Sequence, residues 1–132
     1  MKITNGKILI AFGIIHSLLA ISPFAFGKQF ILLSDRFFFK ISDGLSEFPV
    51  LNGEMNYANF AAFWFFYFGL LLIPLGVLLQ QFENFDKEPP RQFAFAYLII
   101  VMIGSYMIPF SGMTFFMLPH SIYMLKNSAK HK

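Results

Sequence analysis

Two histidines lie inside long apolar runs, and they are the residues best placed to do chemistry. His16 sits in "AFGIIHSLLAIS" (11–22) and His120 in "FFMLPHSIYML" (115–125). An imidazole can exchange a proton near neutral pH, ligate a metal through a ring nitrogen, or hydrogen-bond on two sides at once. Small polar groups accompany them: Ser17, Ser22, Ser105, Tyr106, Ser121 and Tyr123. Four chemistries fit this set. As interhelical struts, each imidazole pairs with a serine, a tyrosine or a backbone carbonyl and holds helices together. As a binding pair, His16 and His120, with Ser17, Tyr106 and Tyr123, frame a cavity for a lipid-like or amphiphilic ligand, or hold haem iron through two imidazoles. As a soft-metal site, Met113, Met117, His120 and Met124 fall at steps of 4, 3 and 4 on one stripe, a thioether and imidazole set suited to Cu(I). A methionine stripe is also ordinary gap-filling packing. As a catalytic pair, two imidazoles at one depth shuttle a proton on a lipid-like substrate.

The rest of the sequence weighs against catalysis and names no cofactor. It holds no phosphate-cradling glycine loop, no zinc-protease helix and no nucleophile elbow. All seven acidic residues are expected in loops, so no carboxylate pair is expected inside a bundle. With no cysteine, disulfides, thiolate metal sites and cysteine nucleophiles are excluded. His131 stands in a lysine-rich tail and reads as solvated.

What must position these side chains is a set of apolar helices. The 132 residues are 57% hydrophobic and 13% charged, with 20 phenylalanines; a soluble domain of this size has too much surface for so few charges. Uncharged runs separate Lys7 from Lys28, Glu54 from Glu83, and Arg91 from Lys126. Each is long enough for a span of about 20 residues. The first, 7–26, reads as a retained span rather than a signal peptide, because it is too long and carries a histidine and Pro23. The second, 57–82, reads as one long helix with Tyr57, Trp64 and Tyr67 as an aromatic belt and a mild kink at Pro74. Gly69 and Gly76, a heptad apart, would let a neighbouring helix come close.

The run after Arg91 is too long for one span and contains "IPFSG" (108–112), a turn signal. It therefore divides into 92–109 and 113–127, with a re-entrant hairpin as the rival reading. A tight turn at Ser111–Gly112 would place Gly112 in the left-handed region, so Gly112→Val should cost more stability than Gly27→Val. Charge favours four spans. With both termini cytoplasmic, the inside receives Lys2, Lys7, Lys87, Arg91, Lys126, Lys130 and Lys132, and the outside Lys28, Arg36 and Lys40. The net charge of +3 is then explained by topology and anionic headgroups rather than nucleic acid. Lipids are the expected partners, with a second copy or another membrane subunit as further candidates.

The outer loop, 28–54, has Phe30, Leu33, Phe37, Ile41, Leu45 and Phe48 at helical steps. It reads either as an amphipathic helix lying in the interface or as an irregular loop on helix ends. The expected fold is thus all-α: a single-domain four-helix transmembrane bundle with this interfacial segment between helices 1 and 2. In that bundle His16, about 13 Å up the first helix, and His120, about 9 Å up the last, come to similar depth.

Three stretches together, "NGKILIAFGIIH" (5–16), "FWFFYFGLLLIPLG" (63–76) and "PFSGMTFFMLP" (109–119), resemble a bacterial family of small four-helix integral membrane proteins of unknown function. The resemblance implies four spans and the Ser-Gly hairpin in the inner membrane. It implies no activity, substrate or cofactor.

Overall fold

The computed structural model describes residues 3–35, 50–51, 54–55, 57–85 and 88–128. Helix dominates them. In chain order the helices are α1 (Asn5–Ile21), α2 (Gly27–Asp35), α3 (Tyr57–Asn84), α4 (Arg91–Met107) and α5 (Leu118–Lys126). A π-helical turn, Met113–Met117, leads directly into α5. A two-residue antiparallel pair, β1 (Val50–Leu51) with β2 (Glu54–Met55), precedes α3.

The first helix is shorter than its apolar run. α1 stops at Ile21 rather than near residue 26, because Pro23 disfavours helical geometry at Ser22. The chain turns there: Ser22 Oγ donates to Leu19 O at 2.7 Å and Gly27 N–H donates to Ser22 O at 2.9 Å. α2 then begins within the expected outer loop, and the helical reading holds as far as Asp35. Phe37, Ile41, Leu45 and Phe48 lie outside the described residues. Among the described helices, only α3, with 28 residues, is long and apolar enough to cross a membrane alone; α1 and α4 have 17 each. α3 runs unbroken through Pro74.

The chain divides into two compact units, Leu9–Leu75, and Met1–Ile8 with Gly76–Lys132. In the Leu9–Leu75 unit, α1 and α3 meet backbone to backbone. A Cβ on Gly13 would lie 2.7 Å from Gly69 O, and one on Gly69 would run into Ser17 Oγ and sit 3.0 Å from Gly13 O. Leu9, Ala20, Ala62 and Leu72 are buried beside this seam. The glycine face expected on α3 is therefore present, and α1 answers it with its own small residues. Phe26 packs on Phe65 and Phe30 on Phe66, with ring centroids 5.3 and 5.4 Å apart, which seats the start of α2 on α3.

The second unit repeats the close approach. A Cβ on Gly6 would lie 2.6 Å from Gly76 O and 2.5 Å from Gln80 N. Its other half is the antiparallel pair α4 and α5. Ala94, Tyr97 and Val101 are buried on α4, and Met117, His120, Ser121 and Met124 on the facing segment. Steps of 3 and 4 in both sequences present one stripe each to the other.

The connection between α4 and the π-turn corrects the expectation for Gly112. Its φ of −58° and ψ of −27° are right-handed helical, not left-handed. The reversal is made earlier, at Ile108 (φ −133°, ψ 80°), Pro109 and Phe110, and Ser111 O then accepts from Thr114 N–H and Phe115 N–H. Pro109 fixes φ and disfavours helix at Ile108, so the break falls before the Ser-Gly pair. The expected ranking of glycine variants reverses with it. A Cβ at Gly27 would lie 2.9 Å from Ser22 O, whereas one at Gly112 meets only Phe116 Cδ2 at 4.0 Å. Gly27→Val should therefore melt lower than Gly112→Val, by about 1 kcal/mol or more of stability; equal melting temperatures would contradict this turn geometry.

Candidate functional site

The expected site residues are distributed over both units: His16 and Ser17 in Leu9–Leu75, and the others in the second unit. Each group is described within its own unit.

His16 is half-buried on α1 and reaches α3. Its Nε2 lies 3.0 Å from Phe65 O. A carbonyl only accepts, so Nε2 carries the hydrogen and donates. The ring stacks on Phe65 with centroids 4.0 Å apart at 26°, and meets the Phe68 ring edge-on at 5.6 Å. Ser17, one residue on, extends Oγ toward Phe66 O at 3.5 Å, a long contact. A carbonyl oxygen has a second lone pair beyond its helix bond, so both contacts form without breaking α3. This arrangement is the strut geometry. His16→Ala should lower the melting temperature of the purified protein by about 3 to 5 °C, the effect of a polar interhelical contact near 1 kcal/mol. His16→Phe keeps the stack and should lose less. If the two variants melt alike at the wild-type temperature, His16 is not a strut.

His120 is buried on α5, and its Nδ1 pairs with the Tyr97 hydroxyl of α4 at 3.3 Å, the rings 5.8 Å apart at 67°. Ser121 is fully buried beside it, with Oγ donating back to Leu118 O at 2.8 Å. Tyr106 and Tyr123 stand on outward faces, 87% and 57% exposed, away from the stripe that holds His120. Of the methionine set, Met117 and Met124 are buried with His120, while Met113 lays its sulfur over Gly104 of α4, filling the space a side chain would take. Large against small is how such a helix pair closes. Among the described residues no three of His, Asp and Glu converge as metal ligands.

One functional group departs from the expectation for acids. Glu83 is in the last turn of α3, half-buried, and its carboxylate holds the start of α1. Oε1 accepts from Asn5 N–H at 2.9 Å and Asn5 Nδ2 at 2.7 Å, and Oε2 accepts from Gly6 N–H at 2.9 Å. The first N–H groups of a helix have no internal acceptor and carry partial positive charge, so a carboxylate suits them. α1 has no acidic residue in its own first turn, and this distant one takes that place. Asn5 Oδ1 is buried with no hydrogen-bond partner among the described residues.

The buried faces thus carry glycine, alanine, serine, asparagine and histidine beside Leu9, Leu72, Val101, Met117 and Met124, while Ile15, Leu18, Trp64, Leu78, Ile100, Ile103, Phe116 and many like them point outward. These features define an all-helical protein with small and polar residues among its helix contacts and many large apolar ones outside. The chain belongs to the family of unknown function DUF6463, whose model matches residues 1–130. No curated protein and no solved structure matches it.

Proposed function

We propose that this is a multi-pass membrane protein of four spans, a non-catalytic helical bundle that associates with a lipid-like amphiphile. The supporting observation is the breadth of apolar surface: the outward faces are large and apolar, while glycines, alanines and buried polar groups join a few large residues at the helix contacts. In water that arrangement leaves a large apolar surface exposed; in hydrocarbon it is the favourable one, since small residues let helices approach and polar groups find partners only inside. Phe63, Trp64 and Tyr67, exposed and packed on one another near the start of α3, suit the headgroup boundary.

Length fits with adjustment. α1 and α4, 17 residues each, stand at the lower edge of spanning length, about 26 Å. The π-turn with α5 is shorter still, so Lys126 reaches toward the headgroups or the bilayer thins around it. The polar contacts at His16, Tyr97–His120 and Glu83 act as struts in this reading, which is why it is non-catalytic.

The absence of cysteine makes a clean test. Phe24→Cys and Phe110→Cys, both at highly exposed positions in turns, should react with an impermeant thiol reagent from outside intact cells. Asn84→Cys and Asn127→Cys should react only after the membrane is opened. Labelling of Asn127→Cys from outside would sink the four-span topology. Release of the protein from membranes by alkaline carbonate would sink membrane integration altogether.

A further inference from the structure

We infer that the cleft between the first residue of α4 and the last residues of the chain's final helix seats the phosphate headgroup of an anionic phospholipid. This rests on the membrane reading above and names the amphiphile and its place.

The cleft has a volume of about 270 Å³ and is lined by Arg91, Leu125, Lys126 and Ser128. Two cations therefore share one opening. Neither has an ion-pair partner among the described residues, so their charges add there, and an anion brought from outside would neutralise them. The positive end of α4 lies at the same place. No side chain caps that helix, whose N-cap position is Pro90, and its first N–H groups carry partial positive charge. Ser128 is buried with its hydroxyl donating to Leu125 O at 2.8 Å, so it forms wall and leaves binding to the guanidinium and the ammonium. A planar guanidinium with a flexible ammonium is a phosphate-recognising pair.

A lipid rather than a free phosphate fits for two reasons. The volume takes a headgroup and not a whole amphiphile, so the acyl chains must lie outside it. One helical turn inward from each cation stands an exposed apolar residue on the same face, Phe95 after Arg91 and Ile122 before Lys126. Acyl chains leaving the cleft would pass along these side chains. The charged cleft with apolar rails beyond it has the polarity profile of a phospholipid.

The test uses the full-length protein purified in a neutral detergent, titrated with phosphatidylglycerol or with phosphatidylcholine and followed by thermal melting. Phosphatidylglycerol should stabilise it at lower concentration than phosphatidylcholine. Arg91→Gln and Lys126→Gln should each weaken that response about fivefold, and the double variant about thirtyfold. Melting without lipid should be unchanged, and the charge-preserving exchange Arg91→Lys with Lys126→Arg should retain most of the binding. As a control for diffuse attraction, Lys130→Gln with Lys132→Gln should change little. Equal responses to the two lipids, or equal loss in the tail control, would overturn the site. Soluble glycerophosphoglycerol acting as well as the lipid would overturn the lipid as occupant. Carbonate extraction of the same preparations separates these outcomes from a failure of the membrane reading, because a retained protein with no lipid preference defeats the cleft alone.

Discussion

Gly69→Val should leave little folded protein. The Cβ it introduces would collide with Ser17 Oγ and come within 2.9 Å of Ser17 N and 3.0 Å of Gly13 O, and two of these three atoms belong to α1's backbone. A flexible side chain can step aside; a helix backbone cannot, so the whole of α1 must move off α3. Valine adds two further carbons. Overpacking of a close seam costs about 3 kcal/mol, and separating the helices also exposes Ser17 and His16 to loss of their carbonyl partners. Against a total stability of about 5–15 kcal/mol, such a loss removes a large share. Size-exclusion chromatography of the detergent-extracted protein should show the folded peak strongly reduced for Gly69→Val and near wild type for Gly112→Val, where a Cβ meets only Phe116 Cδ2 at an ordinary 4.0 Å. A wild-type elution profile and melting curve for Gly69→Val would show that the seam does not hold the unit.

Glu83→Ala should be the next most damaging change. It removes one acceptor group from three donors at once: two backbone N–H groups and the Asn5 amide. Orphaned buried donors cost about 1–3 kcal/mol each, though water reaching this half-buried site recovers part, so about 3 kcal/mol in all is expected. Glu83→Gln keeps one carbonyl acceptor and loses the charge at the helix start, and should fall between. The check is hydrogen exchange at Asn5 and Gly6 alongside the melting curve. Protection at these two amides should vanish in Glu83→Ala while amides in α4 remain protected. Unaltered exchange at Gly6 would mean the carboxylate is not its acceptor.

Much of this was readable in the chain, and the remainder was hidden for identifiable reasons. Gly69 and Gly76 announce a close-packing face in the sequence, and Gly6, Gly13 and Ala20 repeat the same heptad step along α1. Tyr97 was missed through the turn. Centring the hairpin on Ser111–Gly112 puts Tyr97 opposite residues near the end of α5, whereas the reversal at Ile108–Pro109 brings it to His120. A displacement of about three residues at a hairpin tip moves every facing partner by about twice that, nearly two helical turns. Glu83 was read as a loop acid because charge marked the end of the apolar run, while the helix continues past it to Asn84. Charge ends a hydrophobic segment without ending a helix. The methionine spacing suits a ligand set and packing alike in the sequence, while in the structure Met117 and Met124 are buried with His120 and Met113 lies over Gly104.

The carboxylate at Glu83 also orders events in time. It joins residues separated by 78 positions in the chain, so Asn5 and Gly6 leave the ribosome long before their acceptor exists. At typical synthesis rates the interval is roughly 4–16 seconds. Throughout it the leading amides of α1 need another partner such as water, and α1 cannot settle into its final bonds until α3 has been made to its last turn. The first helix is therefore made early and locked late, and a chain cut short before residue 83 would carry an α1 whose leading amides never find their partner.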